Sequence, residues 1–190
     1  MNIVIRPAAV QDSGVIVRSL ILAMGEKTAK VYCGPDYREV LDEIVRMECS
    51  QYSYRNALVA VADGIPAGAV VGYDGGLLQP LRDPTLAVIR RYNPGLSVVD
   101  DETEAGEFYI DSIGVSPGFR GRGIGSQLLC AMRDRAFASG HPCVGLLVDC
   151  ENPEAERLYL SLGFEPVGTK MFFGHPMRHL QSKYPGEPRV

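Results

Sequence analysis

The chain has no tryptophan and no Cys-x-x-C pair. Its five cysteines (Cys33, Cys49, Cys130, Cys143, Cys150) are odd in number and widely spaced, which argues against both a zinc ribbon and a disulfide scaffold. No apolar run approaches the length of a membrane span, and MNIVIRPAAVQDSG lacks the basic and apolar regions of a leader. The expected setting is therefore the cytoplasm, with no membrane partner. A cationic excess is missing too: the formal charge is −4, so no broad electrostatic grip on nucleic acid is expected. His175 and His179 have a four-residue spacing, but Pro176 between them speaks against a helical metal site. No metal is expected.

What is present fits one domain. A chain of 190 residues can bury roughly 70% of its unfolded surface. Residues 1–180 read as that domain, with an insertion at 75–101 and a tail at 181–190. NIVIRPA opens as a strand ended by Pro7, and Asp12 is placed to cap a helix over Ser13–Met24. The apolar spacing of Val40, Leu41, Ile44 and Val45 predicts a second helix over Tyr37–Gln51, after a loop from Gly25 to Asp36. Two runs, 57–63 and 66–74, flank Gly64-Ile65 as a hairpin. Prolines 80, 84 and 94 break the insertion, leaving room for one short helix.

The second half alternates more clearly. GEFYIDSIGV (106–115) is apolar on both faces and reads as a central strand. An amphipathic helix over Gly125–Ser139 and a buried strand at 143–149 follow. Asn152-Pro153, with Glu154 and Glu156 in the first turn and Gly163 past the end, marks a short helix. A last strand covers about Glu165–Phe173, extending toward His179, before a frayed KYPGEPRV. The fold class is a mixed α/β (α+β) sheet, with an antiparallel half at the hairpin and a parallel pair at 107–149.

The stretch GVSPGFRGRGIGSQLL (114–129) carries five glycines and two arginines where a strand turns into a helix. Glycines allow close approach and positive φ, and a helix N-terminus offers unpaired N–H groups, so this is an anion site suited to pyrophosphate. Arg120 and Arg122 add charge. A Walker A loop is excluded by the absence of lysine, and a Rossmann fingerprint by Ser126 in the third glycine slot.

Arg120-x-x-Gly123-x-Gly125, together with Asn152, Ala155, Leu158-Tyr159 and Gly163-Phe164, resembles the two signature segments of the GNAT family of N-acetyltransferases. The resemblance is strong over 106–167 and looser before it. It implies a mostly antiparallel sheet flanked by helices, with a splayed parallel pair holding acetyl-CoA, and a primary amine of a small molecule or peptide as acceptor. It implies acetyl-CoA contacts at Ile113, Gly114, Val115, Arg120, Gly121, Arg122, Gly123, Ile124, Gly125 and Ser126, and at Asn152 beside its capping role. Homodimers occur in the family, but no stretch here marks an interface.

Acetyl transfer needs a proton acceptor for the amine and a donor for the departing thiolate. The resemblance points to Tyr159 as the donor. Strand alternation places Glu107, Tyr109, Asp111, Ile113 and Val115 on one face, and carboxylates on an apolar strand are costly unless used. Asp111 and Glu107 are both candidates for the base, directly or through water, and the sequence does not choose between them. Tyr32, Tyr37 and Tyr73 are acceptor-side candidates without a motif. The rival reading is a non-catalytic CoA-binding module of the same fold, which would need neither acid nor base.

Overall fold

The computed structural model describes residues 1–96 and 99–184. Seven strands form one sheet: β1 (Ile3–Pro7), β2 (Ala57–Ala62), β3 (Ile65–Asp74), β4 (Phe108–Val115), β5 (Cys143–Asp149), β6 (Glu165–Phe172) and β7 (His175–Lys183). Their order is β1-β2-β3-β4-β5-β7-β6, and only β4 and β5 run parallel. The helices are α1 (Ser13–Met24), α2 (Glu26–Cys33), α3 (Tyr37–Arg46), α4 (Leu78–Tyr92), α5 (Ile124–Ala138) and α6 (Pro153–Ser161). This is the mixed, mostly antiparallel sheet that the alternation of elements implies.

Alternation along the strands builds a core on each side of the sheet. Ala57, Val59, Ala69 and Val71 pack with the apolar stripes of α1 to α4. Their neighbours Leu58, Ala60 and Val70 pack with Leu128, Leu129 and Met132 of α5 on the other side.

Several elements differ from expectation for identifiable reasons. α3 stops at Arg46, because Ser50 and Ser53 donate their hydroxyls to the carbonyls of Ile44 (2.8 Å) and Met47 (2.6 Å) and turn the chain. The expected loop after α1 contains α2, bounded by Gly25 and Gly34 at positive φ and carrying a Lys30–Glu26 pair at 3.2 Å. Asp12 does not cap α1 through its side chain. Its carboxylate instead accepts both Arg6 guanidinium nitrogens (2.7 and 2.9 Å) and the Ala9 N–H. The β2–β3 turn is Asp63-Gly64, both at positive φ, rather than Gly64-Ile65.

The stretch 75–101 is not peripheral. It contains the 15-residue α4, which packs Leu86, Val88 and Ile89 into the core. Pro80 lies in the first turn, where a missing N–H costs nothing, and Pro84 removes only the bond to the Pro80 carbonyl. Arg82 then ties the helix down through ion pairs to Asp101 and Glu102. At the C-terminus there are two strands, not one. β7 turns back at Phe173-Gly174 and inserts between β5 and β6, so residues 181–183 belong to the sheet. The end of the expected tail, 185–190, and residues 97 and 98 of the expected insertion lie outside the described residues.

Gly114 on β4 shows how closely α1 lies on the sheet: a Cβ there would sit 2.6 Å from both the Cα and the carbonyl oxygen of Ser19. Ser19 Oγ also donates to the Gly114 carbonyl at 3.0 Å. Gly114→Ala is expected to cost about 1–3 kcal/mol in chemical denaturation, the usual price of overpacking. Gly118→Ala, where a Cβ meets nothing within 4 Å, is the control and should lie within about 0.5 kcal/mol of the parent.

Candidate active site

β4 and β5 pair only from Phe108–Ile110 to Val144–Leu146. Past that point β3 still holds β4 to Val115, and β7 still holds β5 to Asp149. The two central strands therefore diverge, and a cavity of about 440 Å³ lies at the opening. Ile113, Gly114 and Val115 line it from β4, Leu147 and Asp149 from β5, and Asn152 and Tyr159 from α6. More of the wall comes from α1, α2, the β6–β7 hairpin and Glu102 in the loop before β4. The Gly114 position thus serves two surfaces, the cavity and the approach of α1.

Asp111 sits at a β-bulge. The register with β3 runs from Val71–Ser112 to Gly72–Ile110, so Asp111 opposes no residue. The expectation that residues 107 to 115 keep one alternation is therefore corrected. Phe108 and Ile110 pack on the α5 side, and beyond the bulge so do Ile113 and Val115. The extra residue shifts the alternation and leaves the Asp111 carboxylate lining the cavity.

Behind that carboxylate lies a buried polar chain. Ser112 Oγ donates to Asp111 Oδ1 at 2.8 Å, and Tyr73 Oη lies 3.2 Å from Asp111 Oδ2 and 3.0 Å from Glu102 Oε1. Gln51 Nε2 donates to Glu102 (2.8 Å) and to Tyr73 (3.1 Å), and Arg82 pairs with Glu102 from behind. Burial first, and the nearby Glu102 carboxylate second, push the Asp111 carboxyl up to about 7. Burial also raises Glu102, opposed by the Arg82 guanidinium. Tyr73 is driven well above the ordinary phenol range by burial and by the two carboxylates.

Glu107 has a different place. It precedes β4, is only 2% exposed, and is not among the cavity-lining residues. Its carboxylate meets His179 Nε2 (2.8 Å), Gln181 Nε2 (2.8 Å) and Thr103 Oγ1 (2.7 Å). Burial alone would raise its pKa, but these hydrogen bonds outweigh it and hold the carboxyl below the usual range. The two acids that the sequence set side by side are thus separated: Asp111 faces the cavity, and Glu107 joins β7 to the base of β4.

Tyr159 lines the cavity from α6, its ring edge-on to Phe164 at 6.1 Å, and burial pushes its phenol up to about 12. Asn152 caps α6, its Oδ1 accepting the Ala155 N–H at 3.1 Å, and it also lines the cavity. The glycine turn forms a second hollow of about 210 Å³, lined by Arg120, Gly121, Gly123, Ile124, Gly125 and Ser126. Gly121 and Gly123 have φ of 71° and 73°, a conformation that side chains rarely adopt, and Gly123 opens α5. Arg120 Nε donates to the Val115 carbonyl at 3.2 Å. Arg122 does not line the hollow; it lies near Met1 Sδ and the Phe119 ring.

The sequence reading missed Glu102, Arg82 and Gln51; Tyr73, an acceptor-side candidate, bridges Asp111 and Glu102. Glu102 stands in the acidic run DDETE, which reads as solvated surface, and Arg82 stands among prolines. The one available signal was an arginine on the same helix face as Leu78, Thr85 and Ile89, all buried.

A carboxyl that titrates near 7 when folded and near 3.9 when unfolded stabilises the protein fully below about pH 4. That contribution is lost as pH rises to about 7, since the folded form then has to ionise a buried acid. In thermal melts, Asp111→Asn should therefore gain on the parent steadily from pH 4 to pH 8. A constant difference across that range would contradict the raised carboxyl.

Residues 26–164 match the family model described as the Acetyltransferase (GNAT) family. The chain is similar to a mycothiol acetyltransferase of Nocardiopsis dassonvillei, 34% identical over 106 residues that make up 54% of this chain and 31% of that protein. It is also similar to the N-alpha-acetyltransferase RimI of Mycobacterium tuberculosis, 44% identical over 64 residues, or 34% of this chain and 39% of that protein. The chain spans about a third of the length of these two relatives. A solved acetyltransferase structure superposes with a TM-score of 0.78 at 33% identity, covering 95% of this chain and 98% of the other. With the family model matched across most of its length and the fold shared end to end, this chain belongs to the GNAT family of acetyltransferases.

Proposed function

We propose that this chain moves an acetyl group from acetyl-CoA directly to a primary amine of a small molecule or peptide. The reading rests on one observation above all: the bulged Asp111 carboxylate and the Tyr159 phenol line the same cleft between the diverging strands. The glycine hollow at the start of α5 suits the pyrophosphate of the coenzyme through free backbone N–H groups and the Arg120 guanidinium. The β4 edge at Ile113–Val115, unpaired by β5, suits the peptide-like pantetheine arm. The two curated relatives carry the names of enzymes with different acceptors, so neither name passes to this chain.

In this mechanism the ammonium gives its first proton to Asp111, whose carboxyl near 7 makes it an effective acceptor at neutral pH. The nitrogen lone pair then forms a bond to the thioester carbonyl carbon, and the carbon–sulfur bond breaks with its electron pair on sulfur. Tyr159, kept protonated by burial, gives its proton to that sulfur. The second amine proton, released as the amide forms, refills the phenol. No cysteine is among the residues lining the cleft, which favours direct transfer over an acetyl-enzyme.

Thiol release from acetyl-CoA, followed against polyamines, amino acids, aminoglycosides and basic peptides, tests the reading. With an active amine, Tyr159→Phe should lower kcat about 10²-fold while the KM for acetyl-CoA stays within a few-fold. The parent's kcat/KM should rise with pH to a plateau through a limb near 7, and Asp111→Asn should lose that limb. Binding of acetyl-CoA with no turnover of any amine would favour the CoA-binding module instead.

A further inference from the structure

The acceptor side of the cleft has a particular charge balance. Among the described residues no lysine or arginine lines the cavity; its one basic side chain is the His175 imidazole. Three carboxylates line it: Glu102, 3% exposed, the half-buried Asp111, and Asp149 at the end of β5. The guanidinium beside Asp111 and Glu102, Arg82, is committed to Glu102 and Asp101 from behind. Because Arg82 is shared by two carboxylates, Asp111 once ionised has no cation of its own, and an ammonium supplies one. A substrate carboxylate or phosphate would add a like charge with no lysine or arginine to meet it. Much of the remaining surface on this side is an apolar wall.

That wall is the other half of the observation. Leu22 and Met24 of α1, Tyr32 of α2, Phe172 at the end of β6, Phe173 of the turn after it, and Met177 of β7 line the cavity. Phe173 has φ of 49° and Gly174 has φ of 76°. A tight turn of this kind ordinarily takes Asn or Gly first, because a bulky side chain there is strained. Here the strained residue reaches across the cleft, and its ring meets the Tyr32 ring edge-on with centroids 5.4 Å apart. Strain of this sort persists where the surroundings over-determine it, as at a ligand clamp.

We infer that the acceptor is a primary amine on an apolar body, free of carboxylate and phosphate, with Asp111 taking the ammonium and Phe173 closing over the body. This deepens the transfer reading and rests on it for which side of the cleft receives the amine. Phe173 is the specificity-determining residue of the pair, since ammonium recognition is common to any amine.

Calorimetric binding of three probes separates the alternatives: 2-phenylethylamine, phenylalanine (the same amine and ring with a carboxylate) and putrescine (an amine without the ring). Each is measured with the protein alone and saturated with CoA. Phenylethylamine should bind at least about 10-fold tighter than either other probe in the better of the two states. Phe173→Gly suits the backbone and removes the ring, so it should weaken phenylethylamine about 10-fold without lowering the melting temperature. Equal or tighter binding of phenylalanine or putrescine overturns the inference, as does no binding of phenylethylamine or no effect of Phe173→Gly. The transfer reading fails separately, through lack of acetyl-CoA binding or through bound phenylethylamine that releases no thiol.

Discussion

Three residues of parallel pairing decide the layout of this protein. Phe108–Ile110 and Val144–Leu146 join β4 to β5, and beyond them each strand stays attached only to its outer neighbour. A sheet that parts in this way exposes backbone groups at its centre, where they would ordinarily be paired. It also puts a cleft between the two cores instead of at the rim of the molecule. The glycine turn, the edge of β4, α6 and the β6–β7 turn are all arranged around that parting.

The bulge at Asp111 falls at the point of parting, and the two features work together. Without the extra residue, Ile113 and Val115 would not return to the α5 core, and the carboxylate would lie in regular alternation. The cost of a buried acid is spread over Tyr73, Gln51, Glu102 and Arg82 rather than cancelled by one partner. A buried Arg–Glu pair contributes little net stability, because desolvation offsets the attraction. Its value here is electrical: Arg82 keeps Glu102 tolerable while leaving Asp111 without a cation. That also explains why α4 persists across Pro84, since the helix is what carries Arg82 to Glu102.

The legible parts of the chain were those whose signals are local. The glycine turn, the Asn152 cap and the long apolar strands each rest on neighbours in sequence, and each lies where expected. The separation of Asp111 from Glu107 was not legible, because a bulge depends on the register against β3 and leaves no mark in FYIDSIGV itself. Nor was the His179–Glu107 contact, which spans 72 residues and exists only because β7 inserts beside β5. Glu102 was hidden for the opposite reason. Its local context, an acidic run, is the usual signature of solvent exposure, yet here the residue is 3% exposed. The 75–101 stretch misled through its prolines, whose cost α4 recovers through tertiary packing.

The helix that carries Tyr159 has no fully buried residue. Ala155, Leu158 and Tyr159 only lean against the α5-side core, and much of the remaining hold is polar: the Asn152 cap, Arg178 on Glu156 at 3.0 Å, and Arg133 on the Leu162 carbonyl at 2.7 Å. α6 thus has no fully buried residue of its own on an otherwise well-buried scaffold, the condition under which an element opens locally rather than with the whole fold. A ligand filling the cleft would supply the contacts that its inner side lacks. The order of Tyr159 would then be a property of the loaded protein, acquired together with its ligand.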